Sequence, residues 1–99
     1  MLFAVIYKPR GDVTEEKEKR SLQLFTNWTP PEGYDQKAHY TRADGGGGIV
    51  IAEASSAAAL AEASAPWGPF FEIESVPLVD VTEGAAIAQK VNAWRDSVR

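Results

Sequence analysis

The sequence predicts a single α+β domain of βαββαβ order with one further helix at its C-terminal end. Three observations carry that reading. Short apolar runs rich in β-branched and aromatic residues alternate with longer, mostly polar stretches of helical spacing. Four consecutive glycines at 45–48 separate the second and third runs as a hairpin turn would. The first and third runs are apolar at nearly every position, whereas the second and fourth carry charges.

Residues 2–8 form the first strand, closed by Pro9 and Gly11. Asp12 with Glu15 three positions on has the pattern of a capped helix start, and the same four residue types recur at Asp80, Val81, Thr82 and Glu83. The first helix is expected over 13–28. Its first half is almost entirely polar and belongs in water, while Leu22, Leu24, Phe25 and Trp28 give its second half an apolar stripe. Pro30 and Pro31 stop it, since neither continues the backbone ladder. Residues 34–42 alternate loosely as a polar edge strand, and 49–53 form the third strand.

Ser55 or Ser56 caps the next helix, which runs to about residue 65 with Leu60 as its one large apolar side chain. So many alanines let a helix lie close to a sheet. Pro66, Gly68 and Pro69 break the chain around Trp67, and 70–79 form the fourth strand, where Pro77 argues for an edge. The last helix, about 83–97, places Ile87, Val91, Trp94 and Val98 at helical spacing, a face that needs a cover.

In the ferredoxin-like arrangement of this order, the first and third strands are central. Strands apolar on both sides need both faces of the sheet covered. Right-handed crossovers place the two internal helices on one side, so the other face meets a ligand, the C-terminal helix or another subunit. A second sheet about 10 Å away is the most economical cover, and a homodimer is the expectation.

Ninety-nine residues suit one domain spanning 1–99. A domain this small gains much from a partner, because it buries only roughly 60–65% of its unfolded-chain surface. The absence of cysteine excludes disulfides, iron–sulfur clusters and thiol catalysis. The net charge of −4 divides into +1 over residues 1–42 (seven Lys/Arg, six Asp/Glu) and −5 over 43–99 (three and eight). Such a balance, with no basic cluster, disfavours nucleic acid. The longest apolar runs are too short to span a bilayer. No basic segment precedes the apolar start, so a cytoplasmic location without a membrane is expected.

Trp28, Pro30, Pro31 and Gly33, then Asp44 with the glycines, then Glu53 and the alanine-rich helix, then Pro69, Phe70, Phe71 and Pro77 form a recognisable combination. It resembles a family of small bacterial proteins known as a domain of unknown function, itself similar to the dimeric α+β barrel superfamily. The resemblance runs from Met1 to about Val81, and its most specific part is Trp28, Thr29, Pro30, Pro31, Glu32 and Gly33. It implies a dimer with a cavity between sheet and helices. The superfamily includes cofactor-free monooxygenases, muconolactone isomerase-like enzymes, haem-handling proteins and ligand-sensing domains, so it implies no single reaction.

Among candidate side chains, His39 is the lone histidine; a titration range near neutrality suits a general base. The ordinary fate of such a residue is a half-exposed strand position without special duty. His39 also suits an axial metal ligand, but a multi-histidine metal site is excluded by count, no carboxylate lies at metal-ligand spacing beside it, and no cofactor is expected. Trp28, Trp67 and the tyrosines Tyr7, Tyr34 and Tyr40 suit an apolar pocket with polar tips, although aromatics are also the common filler of a small core. Glu72 and Glu74 share a strand face, where exposed charges commonly guard an edge. The glycines precede a strand and lack a following Lys-Ser/Thr pair, which makes them a flexible turn rather than a phosphate loop.

Two functional expectations follow. One is a dimeric ligand-binding or interaction domain whose cavity holds a small apolar molecule against Tyr7, Trp28 and Trp67. The other is a cofactor-free monooxygenase or isomerase acting on a small aromatic or lactone-like substrate, with His39 removing a proton and Tyr40 or Tyr7 orienting an oxygen.

Overall fold

A computed structural model describes residues 1–98. The elements are β1 (Leu2–Pro9), α1 (Glu15–Thr26), β2 (Tyr34–Thr41), β3 (Gly48–Ala54), α2 (Ala57–Ser64), a 3₁₀ turn (Ala65–Trp67), β4 (Phe71–Leu78) and α3 (Val81–Ser97). The four strands form one antiparallel sheet in the order β2-β3-β1-β4, a ferredoxin-like fold with an added C-terminal helix. The two apolar strands are central, as their composition requires.

Strand alternation sorts the side chains onto two faces. Phe3 and Val5 of β1 join Val50, Ala52 and Ala54 of β3 in the buried core, with Tyr7, Tyr34, Leu60 and Ile73 packed against it. Ala52, on central β3, is 0% exposed. The opposite face carries Ile6, Ile49 and Tyr40, all exposed. Burial of the first set is worth roughly 1.5–3 kcal/mol for each large side chain; the second set contributes nothing of that kind within one chain.

The helix starts follow local chemistry. Thr14, not Asp12, caps α1: its Oγ1 accepts the Lys17 N–H at 3.2 Å. Asp12 is displaced because Val13 N–H bonds back to the Arg10 carbonyl at 3.2 Å, which uses those residues in a turn. Glu15, Glu16 and Glu18 then lie in the first turn, where the helix dipole favours them. Ser56 caps α2 by accepting the Ala59 N–H at 3.1 Å. Ala59 and Ala63 are buried, and their small side chains bring α2 close to β2 and β3.

α1 departs from its expected packing. Ser21 is its buried residue, with the hydroxyl donating to the Glu18 carbonyl at 2.8 Å. Leu22 and Phe25 remain exposed. Their stripe is turned toward the sheet across a gap instead of being pressed into it.

Two irregularities complete the frame. β2 holds one residue more than β3 between Gln36 and Ala38, so Lys37 opposes no partner and the register shifts there. Beyond β4, α3 contains no buried residue. The molecule is elongated, 59 × 30 × 21 Å, with a radius of gyration of 17.5 Å against about 13 Å for a compact chain of this length. No helix among the described residues is long and apolar enough to cross a membrane.

Candidate functional site

The gap under α1 is a cavity of about 520 Å³, bounded by the helix-covered face of the sheet, α1, and the loop carrying Trp67. Its defining contact begins with a glycine. β3 lies between β1 and β2, and Gly48 of β3 stands opposite both Tyr7 and Thr41. A Cβ on Gly48 would overlap the Tyr7 phenol and the Tyr40 carbonyl oxygen. The bare glycine therefore lets the Tyr7 ring cross the intervening strand. Its hydroxyl meets Nε2 of His39 at 2.6 Å. His39 opposes Val50 and shares that residue's inward face.

Gly47 secures the approach. It has φ 108°, and a side chain there would run into the Tyr7 backbone carbonyl. A residue with a Cβ is excluded both by conformation and by space.

The cavity wall is a belt of rings, edge to face at every contact except the tilted Phe25–Trp67 pair. Phe71 lies 5.1 Å from Tyr7, Tyr7 5.6 Å from His39, and His39 5.9 Å from Phe25, centroid to centroid. The belt continues from Phe25 to Trp67 at 6.1 Å, to Trp28 at 5.9 Å and to Tyr34 at 6.3 Å. Such contacts contribute about 0.5–1.5 kcal/mol per pair beyond burial.

Trp67 is held by backbone rather than by core. Pro66 shapes the 3₁₀ turn, and the Phe70 N–H bonds to the Trp67 carbonyl at 3.0 Å. Arg10 then ties the loop to the end of β1: its Nε donates to the Gly68 carbonyl at 2.7 Å and its N–H to the Phe70 carbonyl at 3.0 Å.

Electrostatically the interior is close to neutral. Burial lowers the His39 pKa below its ordinary 6.5 and raises that of Tyr7 above 10.0, so near neutral pH both are uncharged. The shared hydrogen bond has two forms. Either the phenol donates to a bare Nε2, or Nε2–H donates to the phenol oxygen. At the mouth, Arg42 grips Asp44 through two bonds of 3.0 and 2.5 Å. That guanidinium, with the Gly46 N–H, holds the Asp44 carboxyl below its usual range. Among the described residues no cluster of three His, Cys, Asp or Glu side chains is placed to hold a metal ion.

Residues 1–92 match the family described as "Domain of unknown function (DUF3303)". The chain belongs to this family. No curated protein and no solved structure matches it. Every cavity residue of this DUF3303 domain lies within the matched stretch, which extends past β4 into α3.

Of His39 and the five aromatic residues singled out by the sequence, five meet at this DUF3303 site: Tyr7, Trp28, Tyr34, His39 and Trp67 all line the cavity. Tyr40 does not. It follows His39 directly on a strand, so it points to the opposite face, where it is 68% exposed. Glu72 and Glu74 also lie away from the cavity, and Glu72 pairs with Lys8 at 3.2 Å. Phe25, expected in the core, lines the cavity with Phe71. Gly48 was missed as a determinant. The signal was available in principle, since a glycine that starts an apolar central strand often marks a close approach.

Proposed function

We propose that this domain binds a small, uncharged, largely apolar molecule in the cavity under α1, oriented by one hydrogen bond to the Tyr7–His39 pair. The supporting observation is the joining of an aromatic belt to one half-buried polar pair around about 520 Å³ of space. Apolar walls with a few placed polar groups are the common form of small-molecule sites. A neutral ligand fits best, because the pair carries no charge near neutrality and Arg42 is already engaged by Asp44.

The test is a thermal-shift panel of uncharged aromatic and alicyclic compounds. A ligand at about a hundredfold its Kd stabilises the native state by about 2.7 kcal/mol, which raises Tm by roughly 10 °C or more for a chain of this length. The rise should vanish in Trp67→Ala. A panel that leaves Tm unmoved would sink the binding reading.

The 2.6 Å contact favours a second reading, cofactor-free proton transfer by a monooxygenase or isomerase acting on an aromatic or lactone-like substrate. A neutral His39 is competent to accept a proton, and Tyr7 is placed to orient a substrate oxygen or relay the proton. Turnover found with a bound ligand should fall by 10²-fold or more in His39→Ala. Undiminished turnover in that variant would remove the base.

The exposed face of the sheet, with Ile6, Ile49 and Tyr40, is covered by a second copy of the chain. Sedimentation at micromolar concentration should give the mass of two chains.

A further inference from the structure

α3 is directed away from its own domain. Val79 and Asp80 separate it from β4, and Asp80 fixes its start by accepting the Thr82 N–H at 2.9 Å through its carboxylate and the Gly84 N–H at 2.9 Å through its carbonyl. A 17-residue helix is about 26 Å long, and an eight-residue strand about 27 Å. The 59 Å long axis is close to their sum, so β4 and α3 run end to end.

The surface area says how much is left uncovered. A compact monomer of 10.8 kDa exposes about 5,500 Å². This chain exposes 7303 Å², an excess of about 1,800 Å². Each partner in an interface of standard size buries about 800 Å². The excess is thus about twice that, in the range of an obligate homodimer.

The chemistry of the two unpartnered surfaces is complementary. Ile87 (49% exposed), Val91, Trp94 (65% exposed) and Val98 follow one another at spacings that keep them on one side of α3 and its C-terminal end. At about 100° per residue, Lys90 and Arg95 flank that stripe on either side. The open face of the sheet offers Ile6, Ile49, Ile51, Val76 and Leu78, bordered by the acidic Glu53, Glu72 and Glu74. Glu74 is in no ion pair among the described residues.

We infer that α3 is an exchanged arm. In the homodimer proposed above, on which this inference rests, each α3 lies across the open face of the partner's sheet, apolar stripe inward and Lys90 and Arg95 toward the acidic border.

Full-length protein and two variants test it by sedimentation, with far-UV circular dichroism to confirm folding. The wild-type chain should be a dimer at micromolar concentration; a monomer would overturn both the dimer and the arm. Ile87→Ser with Trp94→Ser changes two exposed side chains, and should weaken association about a hundredfold or more with the helix signal retained. If it stays as tight a dimer as wild type, the arm is wrong while the dimer stands. Ile49→Asp disables the face and should likewise give monomers. Mixing these two variants restores one intact arm-and-face contact, so heterodimers should form at tens of micromolar. A mixture that stays monomeric would show that α3 does not act on the other chain.

Discussion

The Tyr7 hydroxyl stands 2.6 Å from His39 Nε2 across a strand that belongs to neither residue. The two lie 32 positions apart in the chain, and the contact exists because β3 presents no side chain beneath the phenol at Gly48. A backbone vacancy on one strand thereby assembles polar groups from its two neighbours. The hydrogen bond, the ring belt and the cavity wall share that origin.

Gly48→Ala should show this directly. The added methyl overlaps the phenol and the Tyr40 carbonyl oxygen, so either the ring or the strand must move. Overpacking of this kind costs about 1–3 kcal/mol. Urea denaturation should report the loss, and the His39 ring resonances should report a broken bond. An unchanged midpoint with unshifted resonances would mean that the phenol takes another route.

Tyr7→Phe keeps the ring contacts with His39 and Phe71 and removes only the hydroxyl. His39 Nε2 then loses its partner in a half-buried setting, at a cost of about 1–2 kcal/mol. Double-mutant analysis with His39→Asn checks the assignment, because coupled residues give non-additive losses. Additive losses would deny the pair.

The pH dependence has a defined sign. Burial depresses the His39 pKa in the folded state below its ordinary 6.5, so the unfolded chain takes up the proton first. The His39 contribution is complete above pH 6.5 and is lost as pH falls through the lower, folded value. Stability curves for wild type and His39→Asn should therefore diverge on the acidic side of 6.5 and run parallel above it. Parallel curves throughout would place the imidazole in bulk water.

Ala63→Leu probes the close approach of α2. Ala63 is 4% exposed and also lines the cavity. Three more carbons should cost about 1–3 kcal/mol and weaken ligand binding by reducing the volume. A lower denaturation midpoint with an unchanged slope is the expected signature.

The order of elements was legible because each is bounded by strong local signals. Pro30 and Pro31 end α1, Ser56 and Asp80 start their helices, and the central strands declare themselves by apolar residues at nearly every position. The start of α1 was misread because Asp12 and Thr14 both offer a cap, and the turn at Arg10–Val13 settles the choice through a backbone bond that side-chain pattern does not encode. His39 and the two tryptophans were legible as candidates by residue type. Grouping Tyr40 with His39 failed because neighbours on a strand face opposite ways. The Tyr7–His39 contact was hidden for another reason. It depends on three strands in register, and the glycines that permit it look locally like a turn.

The extra residue in β2 has a wider effect than a local kink. Before Lys37 the even-numbered positions of this strand point inward, as Tyr34 and Gln36 do; after it the odd-numbered ones do, as His39 does. Lys37 therefore acts as a parity switch, choosing which of two consecutive rings is offered to the interior. Excising it should leave plain alternation with the same pairs, Gln36 opposite Ala52 and His39 opposite Val50, so the imidazole stays inward and the Tyr7–His39 contact survives. A strand that instead paired Lys37 with Ile51 would carry Tyr40 inward and His39 out, so one unpaired residue decides which of two chemistries faces the interior.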